Sequence, residues 1–180
     1  MSAIPPALAD KILRPRRIAI VGASGDLKKN NSRPQRFLRK HGYTGALYPI
    51  NPREKELFGE TCYARLADTP EVPDHALVMI GAENVEGMIR ECGRRGIAAA
   101  TIFAGGFAEG GHEGQERQRR LIAAARQAGV RLIGPNSLGI ISSTVPMTLC
   151  ASAALENITL RRGRTAVVSQ SGSLIGALVS

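Results

Sequence analysis

Short apolar runs alternate along this chain with longer stretches in which apolar residues recur every three or four positions. That alternation predicts βαβ units and a parallel sheet, because an apolar run without polar interruptions suits a strand covered on both faces. Strands are expected near 17–22, 45–50, 75–80, 98–103 and 130–133. Between them, Val85, Met88, Ile89 and Cys92 fall at helical spacing, which makes Cys92 a core residue and Gly96 the stop. A later helix carries Leu121, Ala124, Ala125 and Ala128 on one face and closes at Gly129. The helix after the first strand is expected to begin around Ser32 to Pro34, with a hydroxyl cap and an early proline, and to bury Phe37 and Leu38. No internal repeat or low-complexity segment interrupts the pattern.

Two regions read differently. Leu132 to Leu155 is uncharged, but Pro135, Asn136, Pro146 and several hydroxyl residues break it, so it reads as loops beside a buried site rather than a membrane span. Leu160 to Gly163 reads as a boundary. Beyond it, Arg164 to Ser173 predicts another strand, a hydroxyl-rich turn and the first turns of a helix that ends at Ser180. A strand and a helix start cannot bury both faces of a layer alone, so the chain is expected to stop inside a second domain or to pair with material absent here.

Composition narrows the class. With 180 residues, 43% hydrophobic and 22% charged, the chain suits a well-buried globular domain rather than disorder. Lys and Arg outnumber Asp and Glu by 24 to 15, a formal net charge of +9 that favours an anionic partner. Much of the excess lies in Arg14–Arg17, Arg94–Arg95, Arg117–Arg120 and Arg161–Arg164, which read as solvated faces. The few aromatic residues are not interleaved with these clusters, as stacking on single strands requires, so nucleic acid is not the expected partner. Cys62, Cys92 and Cys150 are odd in number and far apart, and His41, His75 and His112 are scattered. Neither a disulfide framework nor a metal site is expected, and a reducing cytoplasm fits. The first thirteen residues lack the apolar core of a signal peptide.

Two turns carry the candidate chemistry. Gly134-Pro135-Asn136-Ser137-Leu138-Gly139 follows the run Val130–Ile133, and Gly22-Ala23-Ser24-Gly25 follows Arg17–Val21. Small residues at the carboxyl ends of parallel strands let a ligand approach the main chain, and helix N-terminal amides satisfy a pyrophosphate. A full Gly-x-Gly-x-x-Gly is not met. An NAD site expects an acidic residue at the end of the second strand, but Tyr48-Pro49-Ile50-Asn51-Pro52-Arg53 stands there. Arg53, with Lys28, Lys29 and Arg33, suits a phosphorylated ribose, which NADP and coenzyme A both carry.

Six ordered motifs now carry a resemblance: Pro15-Arg16-Arg17-Ile18-Ala19-Ile20-Val21-Gly22-Ala23-Ser24, Arg33-Pro34, Tyr48-Pro49-Ile50-Asn51-Pro52, Ala104-Gly105-Gly106-Phe107-Ala108-Glu109, Leu132-Ile133 through Gly139, and Val168-Ser169-Gln170-Ser171-Gly172. From about residue 13 to 180 the chain resembles the NDP-forming (ADP-forming) acyl-CoA synthetases, relatives of the succinyl-CoA synthetase α subunit. The resemblance implies an α/β, Rossmann-like, doubly wound parallel sheet over residues 1–160 that binds CoA. It also implies the start of a flavodoxin-like ligase domain over 161–180.

Residue by residue, the resemblance places Gly22, Ala23, Ser24 and the loop through Lys28, Lys29 and Ser32 on the CoA phosphates. Pro49, Asn51 and Arg53 flank the nucleotide, and Ile80 and Gly81 border the adenosine. Gly105, Gly106 and Phe107 close over the pantetheine path, Asn136 and Ser137 lie near the thiol, and Ser169, Ser171 and Gly172 hold a phosphoryl group. Ser171 has a simpler reading as a helix cap. Asn31-Ser32 stands where the family commonly has paired glycines, so a narrowed loop and weakened CoA affinity are expected.

No catalytic residue is expected. The phosphoryl-carrying histidine of the family lies well beyond residue 180, and His75 and His112 read as structural or surface residues. ATP and Mg²⁺ are implied only for a full-length enzyme, whose other ligase domains or ATP-grasp subunit are the expected partners, in an oligomer without nucleic acid or membrane. The rivals are a noncatalytic CoA-binding or regulatory module and an NADP-dependent oxidoreductase. Gly22→Val is expected to abolish CoA binding with little effect on the fold.

Overall fold

The computed structural model describes residues 6–143, 145–161 and 163–179; Arg162 of the last basic cluster and Ser180 at the expected helix end lie outside them. Five parallel strands form the main sheet: β1 (Arg17–Val21), β2 (Ala46–Ile50), β5 (His75–Val78), β6 (Ala99–Ile102) and β7 (Arg131–Ile133), in the order β2-β1-β5-β6-β7. All five were expected, each at most two residues longer at an end. The trimmed carboxyl-terminal residues, Gly22, Met79, Ile80 and Phe103, leave the ladder to form the turns, although Gly22, Met79 and Phe103 still donate amides to the neighbouring strands.

Strand residues alternate between two covered faces. Ala19, Val21, Ala76, Val78, Ala100 and Ile102 pack with Val85, Ile89, Cys92, Leu121 and Ala125, which belong to α3 (Ala82–Arg95) and α4 (His112–Ala128). Both helices end at glycines with left-handed φ, Gly96 at 82° and Gly129 at 69°. On the other face, Ile18, Ile20 and Leu77 meet Leu38 of α2 (Arg33–Lys40) together with Met147 and Leu149.

Those last two residues correct an expectation. The stretch expected to be loops contains an antiparallel hairpin, β8 (Gly139–Ser142) and β9 (Met147–Cys150), then a short 3-10 turn at Ala153–Glu156. Alongside α2, the hairpin supplies apolar cover on this face, together with Tyr43, Leu57 and Cys62. The sequence reading also passed over α1 (Pro6–Leu13) and a small hairpin, β3 (Glu56–Leu57) with β4 (Glu60–Thr61).

The strand expected just after Arg164 is not formed. Residues 165–169 are irregular, with Val167 half exposed and Val168 fully exposed. A strand needs a neighbour to pair with, and no described strand lies alongside. The final helix, α5 (Gly172–Val179), touches the Ala153–Glu156 turn, where Gly176 lies against Ala154 and Ser152. Leu160 and Ile158 pack with Phe37, Cys150 and Leu155. No helix among the described residues is long and apolar enough to cross a membrane.

Candidate functional site

The first turn is built where β1 stops. Gly22 adopts φ +82° and donates its amide to Ile50 O at 2.9 Å. A Cβ on it would sit 2.6 Å from Met79 O and 3.0 Å from Ile80 Cγ2. Gly22→Val therefore strains the fold itself, contrary to expectation, because a side chain here meets backbone as well as an unfavourable φ.

Two side-chain amides hold the next carbonyls. Asn31 Nδ2 donates to Gly22 O at 2.6 Å, and Asn51 Nδ2 donates to Ala23 O at 2.8 Å. Further on, Ser24 Oγ accepts from Asp26 N at 3.1 Å and Asp26 Oδ1 accepts from Lys28 N at 3.0 Å. The amides of Ala23, Ser24 and Gly25 have no hydrogen-bond partner among the described residues. Such donors are what a phosphate needs.

Lys28 and Lys29, both exposed, join Asn30, Asn31, Met79 and Phe103 around a cleft of about 410 Å³. Asp26 sits 4.0 Å from Lys29, so the loop is not purely cationic.

Other loop candidates are placed elsewhere. Ser32 is fully buried and donates its hydroxyl to Lys29 O at 2.9 Å, so it neither caps α2 by side chain nor presents a free hydroxyl. It belongs to a 3-10 turn, Asn30–Ser32, that uses up its hydroxyl locally. Arg33 reaches Asn30 Oδ1 at 2.5 Å and lies 3.4 Å from Ala151 O, on the side of the β8–β9 hairpin. Pro49 is buried inside β2, an edge strand where its missing donor is tolerated. Arg53 is exposed just past Asn51, whose Oδ1 accepts its amide at 3.0 Å.

A second, wider groove of about 2,460 Å³ runs along the other strand ends. Gly105, Asn136, Ser137, Ser169 and Gly172 line it, and Phe103 borders both spaces. Asn136 takes φ +54° and donates its amide to Ala104 O, while Ser137 donates to Ile102 O, which pins this turn to β6. Gly81 immediately precedes α3, beside Ile80.

Phe107 departs from expectation: the residue is fully buried in the core, and the exposed part of this loop is Gly105 and Gly106. Glu109 Oε1 accepts from Gly106 N at 2.7 Å and Phe107 N at 3.3 Å. Its own amide and these two hold its carboxyl below the usual range. Arg117 closes the loop from the other side on Gly106 O.

In the terminal segment, Ser169 Oγ accepts from Ser171 N at 3.0 Å, and Ser171 Oγ accepts from Leu174 N at 3.3 Å. Ser171 thus caps α5.

The titratable groups with large perturbations lie away from these turns. His75, at the amino end of β5, is fully buried; its Nε2 is 2.8 Å from Thr101 Oγ1 and its Nδ1 3.3 Å from Lys11 O. Burial lowers its pKa to about 4, so the ring is neutral and structural. Beside it, burial raises the Asp74 carboxyl, but Lys11 and the amides of Arg16 and Arg17 outweigh this and hold it below its ordinary value. Burial raises Cys92 to about 12, and all three cysteines are free and buried. His112 opens α4 and is exposed. Among the described residues no cluster of His, Cys, Asp or Glu is arranged to hold a metal.

The sequence reading missed Asn30, Met79, Phe103 and Glu109 as lining residues. Met79 and Phe103 had a usable signal: each falls at the carboxyl end of a predicted parallel strand, where such sheets bind ligands.

Comparison with known proteins agrees with the fold. A family described as a CoA binding domain matches residues 16–143. The chain is 33% identical over 170 residues to acetate–CoA ligase [ADP-forming] I of Archaeoglobus fulgidus, covering 94% of this chain and 24% of the relative. It is 32% identical over 172 residues to acetate–CoA ligase [ADP-forming] II subunit alpha of Pyrococcus furiosus, covering 96% and 36%. The solved dinucleotide-forming acetyl-coenzyme A synthetase 1 of Ca. Korarchaeum cryptofilum, in complex with phosphate and ADP, superposes with a TM-score of 0.87 at 33% identity, over 95% of this chain and 36% of that one. This chain therefore spans about a quarter to a third of the length of these relatives.

Proposed function

Because the chain belongs to the CoA binding domain family, we propose that it binds coenzyme A along the carboxyl edge of its sheet, as the CoA-binding portion of an ADP-forming acyl-CoA ligase. The full reaction of such a ligase is acid + CoA + ATP = acyl-CoA + ADP + phosphate. The observation that carries the reading is the first turn, where three amides without partners among the described residues precede the loop that carries Lys28 and Lys29.

In this reading the CoA diphosphate rests on the amides of Ala23, Ser24 and Gly25, because a charge-assisted bond from a fixed N–H costs no reorganisation when the anion arrives. Gly22 is a backbone pivot, and Lys28 and Lys29 supply positive charge. Arg53 and the Asn51 side of the turn flank the nucleotide with Pro49 behind, and Ile80 and Gly81 border the adenosine. The pantetheine arm follows Gly105 and Gly106, with Phe107 buried beneath them, toward Asn136 and Ser137. Ser169, Ser171 and Gly172 form a polar turn on the same wide groove, suited to a phosphoryl group.

The chain's own part is binding and orientation of the thiol donor. Phosphoryl chemistry, with ATP and Mg²⁺, falls to ligase regions or an ATP-grasp subunit assembled with it in the cytoplasm as an oligomer. Residues 1–160 act as the CoA-binding unit and 161–180 open the flavodoxin-like ligase unit. A noncatalytic CoA-binding module is the second reading, favoured by the composition of the turns: residues 22–25 and 134–139 include no histidine, cysteine or carboxylate.

Titration calorimetry with CoA and with NADP tests the reading. Saturable heat with CoA and none with NADP is expected. Binding of NADP alone transfers the site to a nicotinamide cofactor.

A further inference from the structure

Gly22 O and Ala23 O are successive carbonyls of the first turn, and each is held by a side-chain amide from a different element. Asn31, in the 3-10 turn before α2, holds the first; Asn51, just past β2, holds the second. A trans peptide unit is planar, with its C=O and N–H pointing in opposite directions. Anchoring Gly22 O therefore sets the direction of the Ala23 N–H, and anchoring Ala23 O sets that of the Ser24 N–H. These are two of the amides that lack a partner among the described residues. An amide donor without an acceptor is costly unless water or a ligand oxygen completes it.

We infer that Asn31 and Asn51 are positioning residues, a pair of braces that aim the Ala23 and Ser24 amides at the ligand's phosphate; the inference rests on the CoA reading of this turn. It reverses the expectation drawn from Asn31 in sequence. A side chain expected to narrow the loop is instead folded back onto the turn, where one amide N–H is occupied at 2.6 Å. Asn31 lines the cleft and commits one of its amide N–H groups to the protein rather than the ligand. Gly22 cannot take over the bracing, since it has no side chain and its φ of +82° is held only by its surroundings.

The two views of Asn31 predict opposite signs, so one residue decides. With an obstructing Asn31, Asn31→Gly tightens CoA binding. With a bracing Asn31, Asn31→Gly, Asn31→Ala and the isosteric Asn31→Asp all weaken it, by roughly three- to tenfold, the value of one aligned hydrogen bond. Asn31→Ala is the sharper variant, because it removes the donor without adding charge, whereas Asn31→Asp also sets a carboxylate against the phosphate.

The measurements are calorimetry with CoA and amide NMR of the whole chain. In the parent protein, CoA is expected to shift the Ala23 and Ser24 amide protons downfield. In the Asn31 variants the Ala23 response is reduced, while the Ser24 response, held by Asn51, is less affected. A purely structural role for Asn31 lowers the melting temperature without this selective change. Equal affinity and equal Ala23 response in parent and Asn31→Ala overturn the bracing role, as does tighter binding by Asn31→Gly. Failure of the parent chain to bind CoA is a separate result: it removes the CoA reading, and the inference with it.

Discussion

Replacing His75 by glutamine should flatten the acid limb of the chain's stability curve, and the size of the effect follows from its burial. The imidazole is fully enclosed between Lys11 O of α1 and the Thr101 hydroxyl of β6, and its pKa falls from 6.5 to about 4. In the unfolded chain it takes a proton as pH drops below about 6.5. The folded chain does not follow until about pH 4. The unfolded state therefore binds more protons across that window, and stability falls with decreasing pH. At about 1.4 kcal/mol per pH unit, the gap amounts to about 3 kcal/mol, fully present above pH 6.5 and lost by about pH 4.

Asp74, whose pKa is also depressed, adds a loss of the same sign at lower pH. Because Asp74 remains in His75→Gln, comparing the two proteins isolates the histidine. Urea denaturation at pH 7.5, 6, 5 and 4.2 gives the two curves, and NMR titration of the imidazole gives its pKa directly. Parallel curves, or an imidazole that titrates near 6.5 in the folded protein, would refute the argument.

Two further outcomes are expected. Gly22→Ala should destabilise the chain by at least about 1–2 kcal/mol, since it combines a positive φ with a Cβ placed 2.6 Å from Met79 O; a loss under about 0.5 kcal/mol in urea denaturation would show that the turn relaxes freely. Phe107→Ala should cost about 3–5 kcal/mol of stability while the folded fraction keeps its CoA affinity, because the ring is core. Intact stability with lost CoA binding would put the ring back over the ligand path.

Much of the fold was legible because it rests on local patterns. The five parallel strands and the faces of α3 and α4 follow from apolar residues repeating at the period of their element, and Gly96 and Gly129 stop the helices for a local conformational reason. The β8–β9 hairpin was not legible. Ile140, Ile141, Met147 and Leu149 became strand residues because one face of the sheet has a gap beside α2, and no sequence window contains that gap. The unformed strand after Arg164 is the converse: Val167 and Val168 have the right composition but no described strand to pair with.

At the site, sequence alone determined the chemistry: small residues at strand ends, lysines in the following loop, and no carboxylate at the end of β2. Those properties belong to residue type and order along the chain. Tertiary structure decided which groups are free to use it. It sent the Phe107 ring inward, occupied the Ser32 hydroxyl with Lys29 O, turned Arg33 toward Ala151 and folded Asn31 and Asn51 onto successive carbonyls. The reason is that burial and hydrogen-bond pairing are set by how the chain packs, and a donor already paired within the protein is not free for a ligand.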